Sequence, residues 1–215
     1  MEKFTRHRGI ATPLMQDNID TDAIIPSQEM KAVSKHGLGE GLFAHWRYLT
    51  PGSRDLNPEF ALNQPAYQGS SILLSGDNFG CGSSREHAVW ALKEYGIRAV
   101  VASSFGSIFF NNCIANGILP VVLEDSQVRH LAKQVEADPQ KNRLTIDLQE
   151  MTIDVDGAHY AFELDVGARE MLLQGLDPIG QTLLSMDAVD RFEKRDRERR
   201  PWAHHQEDNN SSVNG

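Results

Sequence analysis

The middle of the chain alternates short apolar runs with longer segments whose apolar positions recur at helical spacing. The apolar runs predict buried strands at 71–75, 97–102 and 119–123, and the segments between and after them predict helices at 84–95, 105–116 and 125–137. Gly96 and Gly117 follow the first two helical segments, where C-cap glycines are common. Short apolar strands that alternate with helices favour parallel pairing with right-handed crossovers, so this region predicts an α/β core.

The flanking regions predict smaller elements. Before the core, the pattern indicates a strand at 4–11, a turn or helix cap at 17–22, a short buried strand at 23–25 and a loop-rich stretch at 50–66. After it come strand-like runs at 144–148, 151–155 and 159–164, with a hairpin turn at Gly157, and a last helix at 186–199. We therefore expect one α/β domain with a small β appendage over residues 1–198. The polar tail, 199–215, is expected to be disordered.

Composition and charge narrow the function classes. The chain has 215 residues, of which 40% are hydrophobic and 24% charged, as in an ordinary globular protein. The formal net charge of −9 argues against a nucleic-acid partner, because no basic surface is available to neutralise phosphates. No apolar run approaches membrane-spanning length and the N-terminus has no signal-peptide pattern, so we expect a protein without a membrane partner. Cys81 and Cys113, with no CxxC pair, indicate reduced thiols and a cytoplasmic location.

Residues Gly80 to His87 carry the strongest chemical signal. The glycines allow a sharp turn, and Ser83 followed by Glu86 three residues later predicts a capping box. A helix N-terminus favours an anion, and the planar donor fork of Arg85 suits a carboxylate or a phosphate. The pattern predicts a small anionic molecule beside the serine hydroxyls. Its structural alternative is a well-capped helix without a ligand.

Familiar loop motifs do not fit this stretch. A dinucleotide-binding turn would need glycine where Arg85 stands, and a P-loop would need a following Gly-Lys-Ser/Thr. Ser83 is also not bracketed as Gly-x-Ser-x-Gly, which excludes the nucleophile elbow of α/β-hydrolases.

Gly80 to Ala88 resembles the signature of the swivel domain of the aconitase superfamily. Further segments, in chain order, resemble the small-subunit family of bacterial 3-isopropylmalate dehydratase: 17–26, 43–47, 67–69, 104–105, 119–121 and 175–180. The resemblance runs from about residue 4 to residue 192, and an ordered series of motifs is more specific than any one of them. It implies a swivelling β/β/α domain with a parallel strand–helix core.

The resemblance also implies a reaction. The family reversibly removes and re-adds water on a 2-hydroxy dicarboxylic acid, here between 2-isopropylmalate and 3-isopropylmalate in leucine biosynthesis. It implies a [4Fe–4S] cluster with an open iron on a separate large subunit, which this chain would cover. The cysteine count, 2, is too small for such a cluster, so no metal or cofactor is expected on this chain.

Residue roles follow from the same resemblance. Ser83 matches the catalytic base, and Ser84 and Arg85 match residues that hold a substrate carboxylate. Met30 and Val33 are expected to contact the side group of the substrate. Supporting roles, or positions at the interface with the large subunit, are expected for Thr21, Asp22, Gly80, Gly82 and His87.

Three further expectations concern the environment of single side chains. His87 is expected to be buried against the sheet. Cys81, near a helix N-terminus, is expected to have a lowered pKa. Cys113 is expected in the core.

One departure from the family pattern leaves the substrate open. Where the family often has Phe-Leu after Ile-Pro, this chain has Ser27 to Val33, and Glu29 and Lys31 make that stretch more polar. A paralogous hydro-lyase subunit that acts on a methyl- or dimethylmalate is therefore an alternative. A non-catalytic anion-binding module is a third reading, and activity with a cluster-bearing partner would separate it from the enzymes.

Overall fold

The computed structural model describes residues 1–30, 37–176, 180 and 186–203, which belong to two compact units, Met1–Asp177 and Pro178–Gly215. Its strands are β1 Arg6–Leu14, β2 Ser70–Ser75, β3 Ala99–Ala102, β4 Leu119–Val122, β5 Leu144–Asp147, β6 Thr152–Val155 and β7 Ala158–Ala161. Its α-helices are α1 Thr21–Ile24, α2 Ala44–Arg47, α3 Glu86–Tyr95, α4 Ser107–Asn116, α5 Asp125–Ala137, α6 Val166–Gln174 and α7 Met186–Arg199. None of the described helices combines the length and apolar composition that crossing a bilayer requires.

The described strands of the first unit form one sheet in the order β4-β3-β2-β1-β5-β6-β7. From β4 to β1 the strands pair in parallel, and from β1 to β7 they pair antiparallel. β1 belongs to both halves: its first residues pair with β5 and its later residues with β2, with an irregular register between Ile10 and Ala11. The sheet is therefore mixed, and β1 is the strand where the pairing changes.

Both faces of the parallel half are covered by helices. Ile72 and Leu74 of β2 belong to a buried cluster that includes the apolar face of α5. Leu73, which points to the opposite face, belongs to a second cluster formed with α3 and α4. Every residue of β3 is buried for the same reason. Strands buried on both faces form continuous apolar runs, which is why the sequence pattern revealed them.

The antiparallel half buries only one face. Ile146 of β5 and Ile153 of β6 are fully buried, while their neighbours along each strand are more exposed. Gly157, with φ +80°, occupies the turn between β6 and β7. The hairpin predicted at this glycine is confirmed.

The predicted α/β fold with a parallel strand–helix core and a β appendage is confirmed. One predicted element is wrong: residues 23–25 do not form a strand, because Thr21–Ile24 is a helix. The Asp20 side chain accepts the N–H of Ala23 at 2.7 Å, and this N-cap directs the short apolar run into a helical turn. Helix α6 was not predicted.

The second unit contains the predicted last helix, α7. A short 3₁₀ turn, Pro201–Ala203, follows it. The remainder of the predicted tail, 204–215, lies outside the described residues, and the predicted domain boundary at 198 stays a prediction.

Candidate functional site

A turn that follows β2 is held against the start of α1. The N–H of Gly80 donates to the carbonyl of Ile19 at 2.7 Å, and the N–H of Thr21 donates to the carbonyl of Cys81 at 2.9 Å. Both segments follow parallel strands, so they meet at the carboxyl edge of the sheet. Open α/β sheets bind ligands at this edge.

The glycines of the turn have no room or freedom for a side chain. Gly80 has φ +73°, and a Cβ there would lie 2.1 Å from the ring of Phe109. Gly82 has φ +96°, which L side chains rarely adopt. On the other side of the turn, a Cβ on Gly106 would lie 2.7 Å from the carbonyl oxygen of Gly80. Glycine is therefore required at 80 by the Phe109 ring and the positive φ, at 82 by the positive φ, and at 106 by the nearby backbone of Gly80.

Thr21 holds Ser83 in place. The buried Thr21 hydroxyl oxygen accepts the N–H of Ser83 at 3.2 Å and lies 3.1 Å from the Ser83 hydroxyl oxygen. Ser83 itself is exposed. The sequence prediction of a Ser83 N-cap is wrong, because α3 begins at Glu86 and its N-cap residue is Arg85, with no side-chain cap bond.

The predicted capping box is also absent from this described helix start. Glu86 does not reach back; its carboxylate accepts the side-chain amide of Asn116 at 2.9 Å. The physical reason is that Ser83 hydrogen-bonds to Thr21, a partner 62 residues away in sequence. The serine hydroxyl is therefore not committed to a helix N–H group.

Arg85 forms an ion pair with Asp22. Nη1 of Arg85 contacts Oδ1 of Asp22, and the two side chains are 29% and 57% exposed. An ion pair this exposed adds little stability, but it orients the guanidinium. Ser84 is exposed next to Arg85. Thr21 and Asp22, adjacent on α1, thus contact Ser83 and Arg85 respectively.

A cleft of about 440 Å³ opens beside the turn. It is lined by 78, 80–83 and 105–109, and among these described residues none has an acidic side chain. The N-terminus of α4 lies at the cleft, with Gly106 as a cap that offers no side-chain acceptor. The partial positive charge of a helix start favours an anion here.

A second cleft, of about 430 Å³, lies at the same edge but has the opposite character. Its lining includes the carboxylates of Asp17, Asp77, Glu124 and Asp125. Its arginine, Arg129, pairs with Asp125 at 2.7 Å. A dicarboxylate would be repelled there, so the cleft at Ser83 is the better anion site.

Other predicted site residues lie apart from the turn. His87 is half-buried and packs on Trp90, with ring centroids 4.8 Å apart, so its predicted burial against the sheet is wrong. The buried face of α3 is formed by Ala88, Val89, Ala91 and Leu92. Met30 is half-buried and packs against the α3–α4 side of the core. Val33 lies outside the described residues.

The thiols have raised pKa values. Burial, with a contribution from the Asp20 carboxylate, raises the pKa of Cys81, so the predicted lowering is wrong. The expected helix N-terminus is also farther along the chain than predicted, because α3 begins only at Glu86. Complete burial raises the pKa of Cys113 well above its ordinary value, and its predicted core position is confirmed.

These thiols do not fit an iron–sulfur cluster. A cluster needs at least three thiolate ligands, whereas the chain has only Cys81 and Cys113, and Cys113 is completely buried. Within the described ranges, no group of three or more His, Cys, Asp or Glu side chains is arranged to hold a metal ion.

Sequence reasoning missed two contributors to the site. Asp20 starts α1 and forms a parallel bridge with Cys81. Residues 105–108 line the cleft at the start of α4. The Gly-Ser pair at 106–107, near the start of the helix predicted over 105–116, was the available signal for the second of these.

Comparison with known proteins decides the family. The profile of the aconitase C-terminal domain matches residues 1–126, and the profile of the C-terminal domain of the 3-isopropylmalate dehydratase small subunit matches residues 179–205. A 3-isopropylmalate dehydratase small subunit from Cupriavidus necator is 59% identical over 205 residues, covering 95% of this chain and 99% of that protein. The chain belongs to the 3-isopropylmalate dehydratase small-subunit family.

Other members of this family agree in sequence and in fold. The small subunit from Neisseria meningitidis is 50% identical over 210 residues, covering 94% of this chain and 98% of that protein. The crystal structure of 3-isopropylmalate dehydratase from Methanocaldococcus jannaschii superimposes with a TM-score of 0.62 at 27% identity, covering 88% of this chain and 99% of that one. The resemblance inferred from the motifs is confirmed.

Proposed function

We propose that this chain is the small subunit of a heteromeric hydro-lyase that interconverts 2-isopropylmalate and 3-isopropylmalate in leucine biosynthesis. The observation that carries the proposal is the pairing of Ser83 with Thr21 and of Arg85 with Asp22. These pairs surround a turn next to an anion-compatible cleft at the carboxyl edge of the sheet. Membership of the small-subunit family supports the reaction.

In the proposed reaction, Ser83 is the base. Its Oγ, as the alkoxide, takes a proton from the substrate carbon, the C–H electron pair forms the C=C bond, and the neighbouring C–O bond breaks to release hydroxide, for which the cluster proposed on the large subunit would supply a Lewis acid. Addition then returns the proton from the Ser83 hydroxyl and the hydroxide to the double bond, each to the carbon that the other had left. A serine alkoxide needs stabilisation, and the Thr21 hydroxyl is suited to donate to it, because its oxygen already accepts the Ser83 N–H.

Ser84 and Arg85 are proposed to hold a substrate carboxylate. A guanidinium binds a carboxylate through parallel N–H bonds, and Asp22, which contacts Nη1, orients this one. Met30 and Val33 are proposed to contact the side group of the substrate, with Gly80 and Gly82 shaping the turn. His87, exposed in part on α3, is proposed to contact the large subunit.

The [4Fe–4S] cluster is proposed to lie on a large subunit that binds this chain. The chain has two cysteines, one of them completely buried, which are too few to hold it. Because both are unpaired thiols, we place the protein in the cytoplasm.

One contact weakens the argument for a methyl- or dimethylmalate as the substrate. Glu29 is one of the residues that make the stretch from Ser27 to Val33 polar, but Nη2 and Nη1 of Arg54 donate to its carboxylate at 2.7 and 3.2 Å. Isopropylmalate, with its apolar side group, is therefore the favoured substrate.

Reconstitution tests the proposed function. The chain, mixed with a cluster-bearing large subunit of this family, should interconvert the isopropylmalates, whereas the chain alone should bind no iron and show no activity. The same assay with methylmalate and dimethylmalate as substrates measures the substrate preference. Higher kcat/KM on either of these would favour the alternative hydro-lyase, and a mixture inactive on the whole panel would contradict the enzyme assignment.

A further inference from the structure

Helix α1 carries two of the side chains that hold the serine turn, although it is only 4 residues long. Thr21 contacts Ser83, and Asp22 contacts Arg85. A single helical turn gains little from its own hydrogen bonds, because several residues must be fixed before the first bond forms. The order of this turn therefore comes from side-chain caps and tertiary contacts.

The end of α1 is fixed by tertiary contacts. Ile24 is fully buried, and its carbonyl accepts the N–H of Phe43 at 2.7 Å. Thr21 and Asp22 lie at the opposite end, in the first half of the helix. The contacts at the start of α1 therefore decide where these two side chains lie.

Asp20 fixes the start of α1 in two ways. Its Oδ1 accepts the N–H of Ala23 at 2.7 Å, which is the side-chain bond of an N-cap. Its backbone forms a parallel bridge with Cys81, and the next N–H along the chain, that of Thr21, donates to the carbonyl of Cys81 at 2.9 Å. The same residue thus closes the first turn of the helix and aligns the helix with the serine turn.

The start of α1 and the serine turn pack closely at this point. A Cβ on Gly82 would lie 3.4 Å from the Thr21 hydroxyl oxygen and 3.5 Å from the Cβ of Asp20. The Asp20 carboxylate also acts on the turn through its charge, since it is the second cause, after burial, of the raised pKa of Cys81. A change in the conformation of Asp20 would therefore reach the backbone that carries Ser83.

We propose that Asp20 is a positioning residue for the reaction. By capping α1, it sets the place of Thr21, which supports the serine base, and of Asp22, which orients the guanidinium for the substrate carboxylate. The inference rests on the proposed function, in which Ser83 and Arg85 have these roles. It adds a residue that acts through α1 rather than on the substrate itself.

The test compares Asp20→Ala, which removes the cap, with Asp20→Asn, which keeps an acceptor oxygen. The matched control is Asp165→Ala, because Asp165 caps α6 by accepting the N–H groups of Gly167 and Ala168 at 2.9 and 3.1 Å. Either alanine should lower the Tm of the chain by about 2–4 °C. In the assembled enzyme, Asp20→Ala should also lower kcat about tenfold and raise KM, whereas Asp165→Ala should change neither. Asp20→Asn should restore most of both values.

A double-mutant cycle separates positioning from stability. If Asp20 acts through Thr21, then Asp20→Ala should lower kcat by less than about threefold once Thr21→Ala is already present. A full tenfold loss in that background, or an equal loss of kcat in Asp165→Ala, would overturn the positioning role. The same holds if Asp20→Asn is as impaired as Asp20→Ala, because the charge rather than the cap would then matter.

Amide hydrogen exchange in the full chain, measured by NMR, provides a readout independent of activity. Asp20→Ala should speed exchange of the buried Thr21 N–H, which donates to the carbonyl of Cys81, at least about tenfold relative to that of Leu73 in β2. Equal acceleration at both amides would mean that Asp20 only stabilises the fold. If the wild-type enzyme mixture is inactive, the proposed function fails, and the exchange ratio alone decides whether Asp20 positions α1 on the turn.

Discussion

The parallel half of the sheet, β4 to β1, and the antiparallel half, β5 to β7, differ in how their strands end. Parallel strands all end at one edge, and each is followed by a connection that returns to the other edge. The turn at Gly80 and the segments at 19–21 and 104–106 meet at that edge. In the antiparallel half, a hairpin turn at Gly157 leads directly from β6 into β7.

The position of the candidate site therefore depends on sheet topology more than on local composition. Both halves contain glycines with positive φ, hydroxyl side chains and arginines. In the parallel half, residues distant in sequence, such as Thr21 and Ser83, come together beside a cleft. Matched substitutions in the two halves test this difference.

The largest contrast is expected between Gly80→Ala and Gly157→Ala. Both glycines have positive φ, so each alanine is strained by about 1 kcal/mol. At Gly157 the new methyl group meets nothing within 4 Å, whereas at Gly80 it would collide with the Phe109 ring. Gly80→Ala should lower the free energy of unfolding by about 3 kcal/mol or more, measured by urea denaturation. Equal losses would show that the close approach at Gly80 is unimportant.

Ser83→Ala should have the next largest effect, on turnover. The assembled enzyme should lose at least about 100-fold in kcat, as expected for a lost base. Because Ser83 does not cap α3, the free energy of unfolding should change by less than about 1 kcal/mol. Thr152→Ala, which removes a hydroxyl from β6, should leave kcat unchanged. Near-normal turnover of Ser83→Ala would exclude Ser83 as the base.

Arg85→Lys should have a smaller effect than Ser83→Ala. It keeps the charge but loses the bidentate geometry, so kcat/KM should fall at least about tenfold. The control is Arg169→Lys in α6, whose guanidinium donates to the carbonyls of Leu148 and Gln149 at 3.1 and 2.6 Å. That change should affect thermal stability and leave kcat/KM intact. If both variants behave alike, Arg85 is a structural residue.

Local patterns in the sequence were sufficient to predict most of the strands and helices. The apolar runs of the parallel half and the hairpin at Gly157 were predicted because strand burial and turn conformation depend on adjacent residues. Helix α5 was predicted with its observed bounds, 125–137, because its apolar face repeats at helical spacing. The family motifs, which are also local, predicted Ser83, Ser84 and Arg85 as site residues.

The sequence alone determined the strands, the main helices and the serine-rich turn, since these depend on neighbours along the chain. The tertiary structure decided what the side chains of that turn contact. Ser83 was predicted as a helix cap and Cys81 as an activated thiol, yet Ser83 pairs with Thr21 and burial raises the pKa of Cys81. Hydrogen bonds and desolvation act between atoms that only folding brings together, so no local pattern could reveal them.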